Sequence, residues 1–305
     1  MNTVLEVHQL AKRYGDVVAV SDVSFSVLEG ESFGILGPNG AGKTTTLEII
    51  EGLRRPDAGR VTLLGHDMLR DPRPAQARIG VQLQAAALFD DLTVRETIEL
   101  FAALYPRSGD LGQLMDRLAL GEKESARVKN LSGGQRQRLS VTIALVNDPD
   151  VVFLDEPTTG LDPQARRDLW DLVREMQRDR KTVILTTHYM EEAEQLCDRV
   201  AIMDRGRIVA LDTPRALIQR LDFENTIEFN LEGVTDPTPF RSLPAVRDVR
   251  VVNGTFVLSC SDVSSAVGGV MEAAGRLGAP VRNMQVRTAT LEDVFIAFTG
   301  RRLRD

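Results

Sequence analysis

The fold is decided by the stretch Gly37-Pro38-Asn39-Gly40-Ala41-Gly42-Lys43-Thr44-Thr45. The preceding residues 32–36 form an apolar run that predicts a buried strand, and the following residues 46–53 have the pattern of a helix. A strand, a glycine-rich loop and a helix in this order are the context that a phosphate-binding P-loop requires. The alternative, a glycine-rich turn that binds nothing, explains the flanking elements less well.

The residue types of this loop suit an anion. Gly37, Gly40 and Gly42 let the backbone bend so that several N–H groups point inward. The start of the helix adds the positive end of its dipole. The Lys43 ammonium is placed to reach terminal phosphates, and the Thr44 hydroxyl is a ligand for Mg²⁺. The stretch therefore predicts a nucleotide site.

Composition limits the remaining possibilities. The 305 residues suffice for a full α/β domain and a smaller one. The net charge of −7 gives no support for a nucleic-acid partner, and none is expected. Cys197 and Cys260 stand in no metal-like spacing, which fits a reducing compartment, and we expect both to be buried or half-buried. Because no signal peptide and no bilayer-spanning apolar run is seen, we expect a cytoplasmic protein, soluble or peripheral to a membrane.

Strands and helices alternate in the first two thirds of the chain. Continuous apolar runs at residues 151–154 and 182–187 are typical of central parallel strands buried on both faces. Between the strand predicted at residues 79–83 and the first of these runs, helical periodicity dominates. We therefore predict an α/β domain over residues 1–222, with a helical subdomain at about residues 86–147.

The pattern changes after residue 221. Residues 226–231 alternate polar and apolar, which indicates a strand with one side in water. Asn253-Gly254 lies between two short apolar runs and is a strong hairpin signal. The predicted order is strand, possible helix, hairpin, helix, strand and helix. This order predicts a small α+β domain of ferredoxin-like type over residues 223–305.

Two carboxylates close the strand predicted at residues 151–154. Asp155, at the end of a strand beside a P-loop, is placed to hold Mg²⁺ through its water shell. Glu156, one residue further on, is placed to accept a proton from an attacking water. A helix cap or a surface charge is the weaker alternative when a P-loop lies upstream.

A second segment with an affinity for anions is Leu131-Ser132-Gly133-Gly134-Gln135. Ser132 is a good N-cap, and the two glycines leave backbone N–H groups open at a helix start. A capped helix of this kind is common, so taken alone it does not indicate a binding site. Gln84 and His188 each end a strand, and alone each fits a hydrogen-bonded polar residue better than a catalytic one. Tyr14 alone fits a turn residue.

Taken together, these segments resemble, in their order, the motifs of the ATP-binding cassette (ABC) ATPases over about residues 4–220. Residues 37–45 match the Walker A loop, and the stretch from Leu131 to Gln135 matches the family signature. Asp155 matches the Walker B aspartate, and Glu156 matches the catalytic base. The resemblance implies a P-loop NTPase fold that binds ATP and Mg²⁺.

The same resemblance gives roles to single residues. It implies that Tyr14 stacks on adenine and that His188 contacts the γ-phosphate. Gln84 matches the glutamine that touches Mg²⁺ or the attacking water and senses the membrane subunit. Gly160-Leu161-Asp162 matches the D-loop.

The family mechanism, as the resemblance implies it, needs two partners. Two copies pair head to tail, and each ATP is held between the Walker A loop of one copy and the signature of the other. Hydrolysis by Glu156 with His188 reopens this homodimer. The cycle moves helices of a separate integral-membrane permease docked near Gln84, so the resemblance implies a peripheral position on the inner face of the cell membrane.

The last helix narrows the subfamily. The stretch from Leu291 to Arg301 resembles the ending of ABC-2-type exporter ATPases, including drug-resistance ones such as those for daunorubicin. A plain amphipathic helix is the alternative. We expect residues 223–305 to aid dimerisation or regulation.

Two other functions were weighed. A soluble ABC ATPase acting on nucleic acid or ribosomes usually carries two cassettes or a long coiled-coil insert, and neither is seen in the sequence. A catalytically weak regulatory nucleotide binder is disfavoured by the presence of Glu156, Gln84 and His188.

Overall fold

The computed structural model describes residues 2–84, 88–117, 120–221, 223 and 225–300. The chain divides into two compact units, Met1–Pro214 and Arg215–Leu303. The predicted domain boundary at residue 222 lies a few residues beyond this division, and the domain assignment itself stays a prediction. No helix among the described residues is both long and apolar enough to cross a membrane.

The first unit contains two sheets and seven helices within the part of the chain that the structure describes. Its strands are β1 (Thr3–Tyr14), β2 (Val17–Leu28), β3 (Ser32–Leu36), β4 (Ala58–Leu63), β5 (His66–Asp67), β6 (Ile79–Gln82), β7 (Val151–Asp155), β8 (Thr182–Thr187), β9 (Arg199–Asp204) and β10 (Arg207–Asp212). Its helices are α1 (Lys43–Ile50), α2 (Arg73–Gln76), α3 (Val94–Ala102), α4 (Leu111–Arg117), α5 (Gly133–Leu145), α6 (Pro163–Arg178) and α7 (Met190–Leu196).

The larger sheet positions the site. Its strand order is β10-β9-β3-β8-β7-β6, and the five strands from β9 to β6 run parallel. Every residue of β3, β7 and β8 is buried, which explains their continuous apolar runs and confirms them as central parallel strands. Because the strands are parallel, the loops that follow β3, β6, β7 and β8 all leave from one edge of the sheet.

The smaller sheet is antiparallel, with the order β2-β1-β4-β5. One apolar core lies between this sheet, α1 and the larger sheet, and it includes Leu5, Val27, Leu47 and Phe153. Strand β1 extends to Tyr14, so the turn that follows it consists of Gly15 and Asp16 alone. Hairpin pairing of Tyr14 with Val17 explains the extension.

The helical subdomain is built from α3, α4 and α5, with short 3₁₀ helices at Gly121–Lys123 and Val128–Asn130. A capping box in which Thr93 and Glu96 satisfy each other's backbone N–H groups begins α3. The predicted insert at about residues 86–147 contains these helices, but residues 86 and 87 lie outside the described residues.

The second unit consists of α8 (Pro214–Gln219), β11 (Asn225–Leu231), α9 (Thr238–Arg241), β12 (Val246–Val252), β13 (Thr255–Cys260), α10 (Val263–Arg276), β14 (Val281–Thr288) and α11 (Leu291–Thr299). The sheet order β12-β13-β11-β14 is antiparallel throughout. Strand, helix, hairpin, helix and strand in this order form a ferredoxin-like arrangement, which confirms the predicted fold. Cys197 in the first unit and Cys260 in the second are free thiols and buried, as expected.

Three aromatic rings form the centre of the second unit's core. Phe229 and Phe256 stack with ring centroids 5.3 Å apart, and Phe240 meets both rings edge-on. All three side chains are fully buried.

Removing one of these rings is expected to open the second unit. Phe256→Ala should cost about 3–5 kcal/mol through lost burial and a cavity. Amide protons of β11 and β13 should then exchange about two to three orders of magnitude faster in hydrogen-exchange mass spectrometry. The control is Phe298→Ala, because Phe298 is 45% exposed and its loss should leave exchange nearly unchanged. Equal protection in the two variants would contradict this account of the core.

Candidate functional site

The phosphate-binding loop lies between β3 and α1, as the sequence predicts. Gly42 has φ +101° and Gly40 has φ +78°, a region that side-chain-bearing residues rarely adopt. A Cβ atom on Gly42 would lie 2.2 Å from the backbone oxygen of Ala19. The bend of the loop therefore requires these two glycines.

Gly37 is required for a different reason from the one expected. Its φ lies outside the left-handed region, so the bend does not depend on it. Instead, a Cβ on Gly37 would lie 2.4 Å from the backbone oxygen of Met203. Gly37 is thus a point of close backbone approach between the loop and β9.

The Lys43 ammonium is surrounded by oxygens. It donates to the carbonyl oxygens of Gly37 at 2.8 Å and Pro38 at 3.1 Å. It also lies 3.0 Å from Oε1 of Glu156, and the Lys43 side chain is only 4% exposed. The positive charge of Lys43 is therefore compensated within the chain by the Glu156 carboxylate.

Glu156 is the meeting point of the predicted catalytic residues. Its Oε2 atom accepts from Nε2 of Gln84 at 3.2 Å and from the Thr159 hydroxyl at 3.2 Å. Nδ1 of His188 lies 3.3 Å from the same oxygen. The three sequence-predicted residues Gln84, Glu156 and His188 are thus brought together although they are far apart in the chain.

The charge state of Glu156 follows from these neighbours. Burial acts to raise the pKa of Glu156, but the Lys43 charge and hydrogen bond, with smaller effects of His188 and Thr159, outweigh it. The net pKa is below the ordinary value, so the side chain is a carboxylate. Its backbone has φ +47°, an uncommon conformation for a residue with a side chain. This conformation turns the side chain at the end of β7.

Asp155 and Thr44 supply the oxygens expected at a magnesium site. The Thr44 hydroxyl donates to Oδ1 of Asp155 at 3.3 Å, and the Thr186 hydroxyl donates to the same atom. Burial raises the pKa of Asp155, and these two hydroxyls offset part of the rise. No group of three or more His, Cys, Asp or Glu side chains suited to a metal is found among the described residues. Hard oxygen donors from one hydroxyl and one carboxylate, with waters and phosphate oxygens, are the usual set for Mg²⁺, so the residues fit the ion.

Two residues of this site were missed from the sequence. The Thr186 hydroxyl donates to Asp155 and also accepts from the backbone N–H of Glu156 at 2.9 Å. Thr159 donates to the Glu156 carboxylate. A signal for Thr186 was present, because a fully buried polar residue near the end of a central strand needs a hydrogen-bond partner. Thr159 carried no such signal in the sequence.

Tyr14 lies at the end of β1 with 40% of its surface exposed. The guanidinium carbon of Arg54 lies 5.3 Å from the ring centroid and Nζ of Lys12 lies 5.6 Å from it. Both distances are within the range of cation–π contacts, and the exposed part of the side chain is what remains accessible to a planar base. The exposed ring is compatible with the predicted adenine contact.

The signature segment and the D-loop lie at the starts of two neighbouring helices, α5 and α6. The Ser132 hydroxyl and the Gln135 side chain cap α5 reciprocally, at 3.2 and 3.0 Å. Oδ1 of Asp162 accepts from the backbone N–H groups of Gln164 and Ala165, both at 2.9 Å, and so caps α6. The starts of both helices are close, because a Cβ on Gly134 would lie 3.0 Å from Cβ of Ala165.

An open depression of about 450 Å³ lies between these helix starts. Its lining includes Ser132, Gly133, Gly134, Gln135, Gly160 and Asp162. The remaining lining residues are Leu161 and side chains from the first turns of α5 and α6, and no residue of the phosphate-binding loop lines the depression. This surface can offer two helix N-termini to an anion, but it cannot use the chain's own Lys43 to do so.

Comparisons with known proteins agree with this architecture. A model of the ABC transporter family matches residues 20–159. The Nod factor export ATP-binding protein I of Burkholderia orbicola (strain AU 1054) is 42% identical over 308 residues, which cover 99% of this chain and 98% of the relative. The daunorubicin resistance ATP-binding protein DrrA3 of Streptomyces coeruleorubidus is 36% identical over 309 residues, with 98% and 96% covered.

Solved structures match the first part of the chain. The ATP-binding subunit of an ABC transporter aligns with a TM-score of 0.65 at 30% identity, covering 72% of this chain and 93% of that structure. A dimeric ATP-binding cassette in a post-hydrolysis state bound to ADP and Pi aligns with a TM-score of 0.63 at 26% identity, with 68% and 98% covered. The chain therefore belongs to the ABC transporter family, as an ATP-binding and ATP-hydrolysing subunit.

Thr186→Val is expected to weaken catalysis without unfolding the strand. The substitution keeps the branched shape but removes the hydroxyl that orients Asp155 and the Glu156 backbone. Loss of such a supporting group typically costs about 10–100-fold in metal affinity or activity. The effect should appear in ATP hydrolysis measured across a Mg²⁺ titration.

The matched control is Thr182→Val in the same strand. Its hydroxyl accepts only from the backbone N–H of Gly30 among the hydrogen bonds described, far from the carboxylates. An unchanged Mg²⁺ dependence and turnover in Thr186→Val would show that this hydroxyl does not support the site.

Proposed function

We propose that this chain powers export, as the ATP-hydrolysing subunit that works with a separate membrane permease. The observation that carries the proposal is the convergence of Lys43, Gln84 and His188 on the single carboxylate of Glu156. A relative named for Nod factor export, matched over 98% of its length, supports the direction of transport, and a relative named for daunorubicin resistance agrees with it. Resemblance of the last helix to ABC-2-type exporters agrees with it.

The chemistry of the proposal is a proton transfer at Glu156. Lys43 neutralises the Glu156 carboxylate through the ion pair described above. When the ATP phosphates draw Lys43 away, the pKa of Glu156 rises and the carboxylate becomes a better acceptor for a proton from water. Gln84 and His188 then orient the water and the terminal phosphate around it. Thr44 and Asp155 would hold Mg²⁺, which supplies neutralisation of phosphate charge.

A second copy of the chain is proposed to complete each site. The depression lined by Ser132 to Gln135 and Asp162 presents helix N-termini, whereas the phosphate-binding loop with Lys43 lies elsewhere in the same unit. Head-to-tail pairing would bring the signature of one copy to the ATP on the other. The dimeric cassette bound to ADP and Pi among the similar structures supports such pairing.

A membrane permease is the second proposed partner. Large apolar side chains on both sides of Gln84 in the chain are exposed: Leu83 precedes it, and Phe89, Leu100 and Leu104 follow it. Exposed apolar side chains beside a hydrolysis residue suit a protein partner whose movement is coupled to ATP. This partner would hold the chain at the inner face of the cell membrane.

The second unit is proposed to support dimerisation or regulation. The solved cassette is matched over 93% of its own length but covers only 72% of this chain, so more than a quarter of the chain has no counterpart in it. The export relatives, in contrast, match over 99% and 98% of this chain. The second unit is thus shared with the exporter-like relatives rather than with the cassette as such.

Glu156→Gln tests the catalytic assignment. The amide cannot accept the proton, so ATP hydrolysis should fall by about 10²–10⁴-fold while ATP binding and ATP-dependent dimerisation persist. Phosphate release and sedimentation with ATP measure the two properties. Glu191→Gln, an exposed glutamate of α7, is the matched control and should hydrolyse normally.

Lys43→Ala separates binding from catalysis. It should lose nucleotide binding itself, because it removes the cation at the phosphate loop. Normal turnover in Glu156→Gln would remove Glu156 as the base, and full nucleotide affinity in Lys43→Ala would undo the assignment of the loop.

Deletion of residues 225–305 tests the second unit. Carried out in the Glu156→Gln background, it should keep ATP binding but weaken ATP-dependent dimerisation, measured by analytical ultracentrifugation over a protein dilution series. An unchanged dimer dissociation constant, together with unchanged stimulation by the permease, would refute the proposed role.

A further inference from the structure

Helices α6 and α7 are joined along a continuous seam. The α6 residues of this seam recur at the spacing of one helix face and are Arg166, Trp170, Arg174 and Gln177. Gln177 donates to the backbone oxygen of Leu196 at 2.5 Å, and Arg174 donates to the side chain of Gln195 at 3.3 Å. These bonds tie the far ends of the two helices together.

The centre of the seam is a buried hydrogen bond. The indole Nε1–H of Trp170 donates to Oε1 of Glu192 at 3.1 Å, and Glu192 has no exposed surface. A fully buried carboxyl group is costly unless it has a structural or functional use. Burial raises the pKa of Glu192, and the surrounding donors together with the Arg166 charge offset part of the rise. Neither Trp170 nor Glu192 is among the residues of the predicted nucleotide site. The predicted roles in hydrolysis therefore do not explain why a carboxyl group is buried here.

The near end of the seam reaches His188. The guanidinium of Arg166 lies over the Tyr189 ring, 4.4 Å from its centroid. The Tyr189 ring in turn lies against the His188 ring, with centroids 4.2 Å apart. The orientation of the imidazole beside Glu156 is therefore limited by a chain of contacts, with the two rings tilted by 41°, that begins on α6.

The other end of this connection is the D-loop. Helix α6 starts at the Asp162 cap, directly after Gly160 and Leu161. The turn before it is tied to Glu156, because Thr159 donates to that carboxylate and the Leu161 N–H donates to the Thr158 backbone oxygen at 3.2 Å. Any displacement of the D-loop is thus passed to α6, and from α6 to the segment that carries His188.

We propose that Trp170 and Glu192, with Arg166 and Tyr189, are positioning residues that hold His188 against Glu156 and couple it to the D-loop. They act through His188 and do not touch the reacting atoms. The proposal rests on the roles proposed above for Glu156 and His188.

A double-variant cycle between Trp170 and His188 tests it. Trp170→Phe keeps an aromatic ring but removes the N–H donor, and it should lower kcat about five- to tenfold with the ATP dissociation constant unchanged. His188→Ala should lower kcat further. In the His188→Ala background, adding Trp170→Phe should change kcat by less than about twofold, because the group it positions is gone.

Conservative variants separate positioning from general destabilisation. Glu192→Gln keeps an acceptor oxygen for the indole N–H and should retain turnover. Glu192→Leu removes that acceptor, so its kcat should fall by the same factor as in Trp170→Phe. Leu172→Val, a buried change in the same helix outside the seam, should alter the melting temperature more than kcat.

The outcomes are distinguishable. Suppose that His188→Ala loses turnover and that Trp170→Phe lowers kcat by the same factor in the His188→Ala background as in the unaltered chain. This result overturns the positioning role and leaves the proposed function intact. Full turnover in His188→Ala overturns the role of His188 and this proposal with it. A kcat loss in Leu172→Val equal to that in Trp170→Phe also overturns the positioning role.

Discussion

The buried ion pair between Lys43 and Glu156 is the interaction on which the site depends. It joins the phosphate loop at the start of α1 to the end of β7, with side chains 4% and 6% exposed. Removing water from two charges is costly, and removing one partner of a buried pair typically costs about 3–5 kcal/mol. The pair is therefore stable only while each charge has the other, or while a phosphate substitutes for one of them. In the proposed mechanism, this exchange of partners links nucleotide binding to the basicity of Glu156.

The strand order makes that pair possible. In the parallel order β3-β8-β7-β6, the loop after β3 carries Lys43, the loop after β7 carries Glu156, and β8 between them ends just before His188. Thr186 in β8 then bonds both carboxylate-bearing residues of the adjacent strand. Groups separated by more than a hundred residues of sequence meet because parallel strands end at one edge. The second unit is built differently, because its sheet is antiparallel and its core depends on a cluster of phenylalanine rings.

The sequence predicted most of this arrangement because the patterns concerned are local. Continuous apolar runs predicted the central strands, alternation predicted the one-sided sheet of the second unit, and glycine and proline positions predicted the turns. The loop-bending role was right for Gly40 and Gly42, whose φ values are positive, but the need for Gly37 arises from contact with Met203 in β9. Thr159, the Lys43–Glu156 pair and the seam between α6 and α7 were not predicted. Each depends on which strands and helices become neighbours, and no periodicity within one segment carries that information.

The seam also contains the residue that gives this chain its tryptophan fluorescence. Trp170 is the single tryptophan among the 305 residues, and its indole N–H is bonded to a buried carboxyl group beside the helix that follows His188. Indole emission depends on the polarity and hydrogen bonding of its surroundings. The chain thus carries an intrinsic fluorescent probe, without any label, at the junction between α6 and the segment that holds His188.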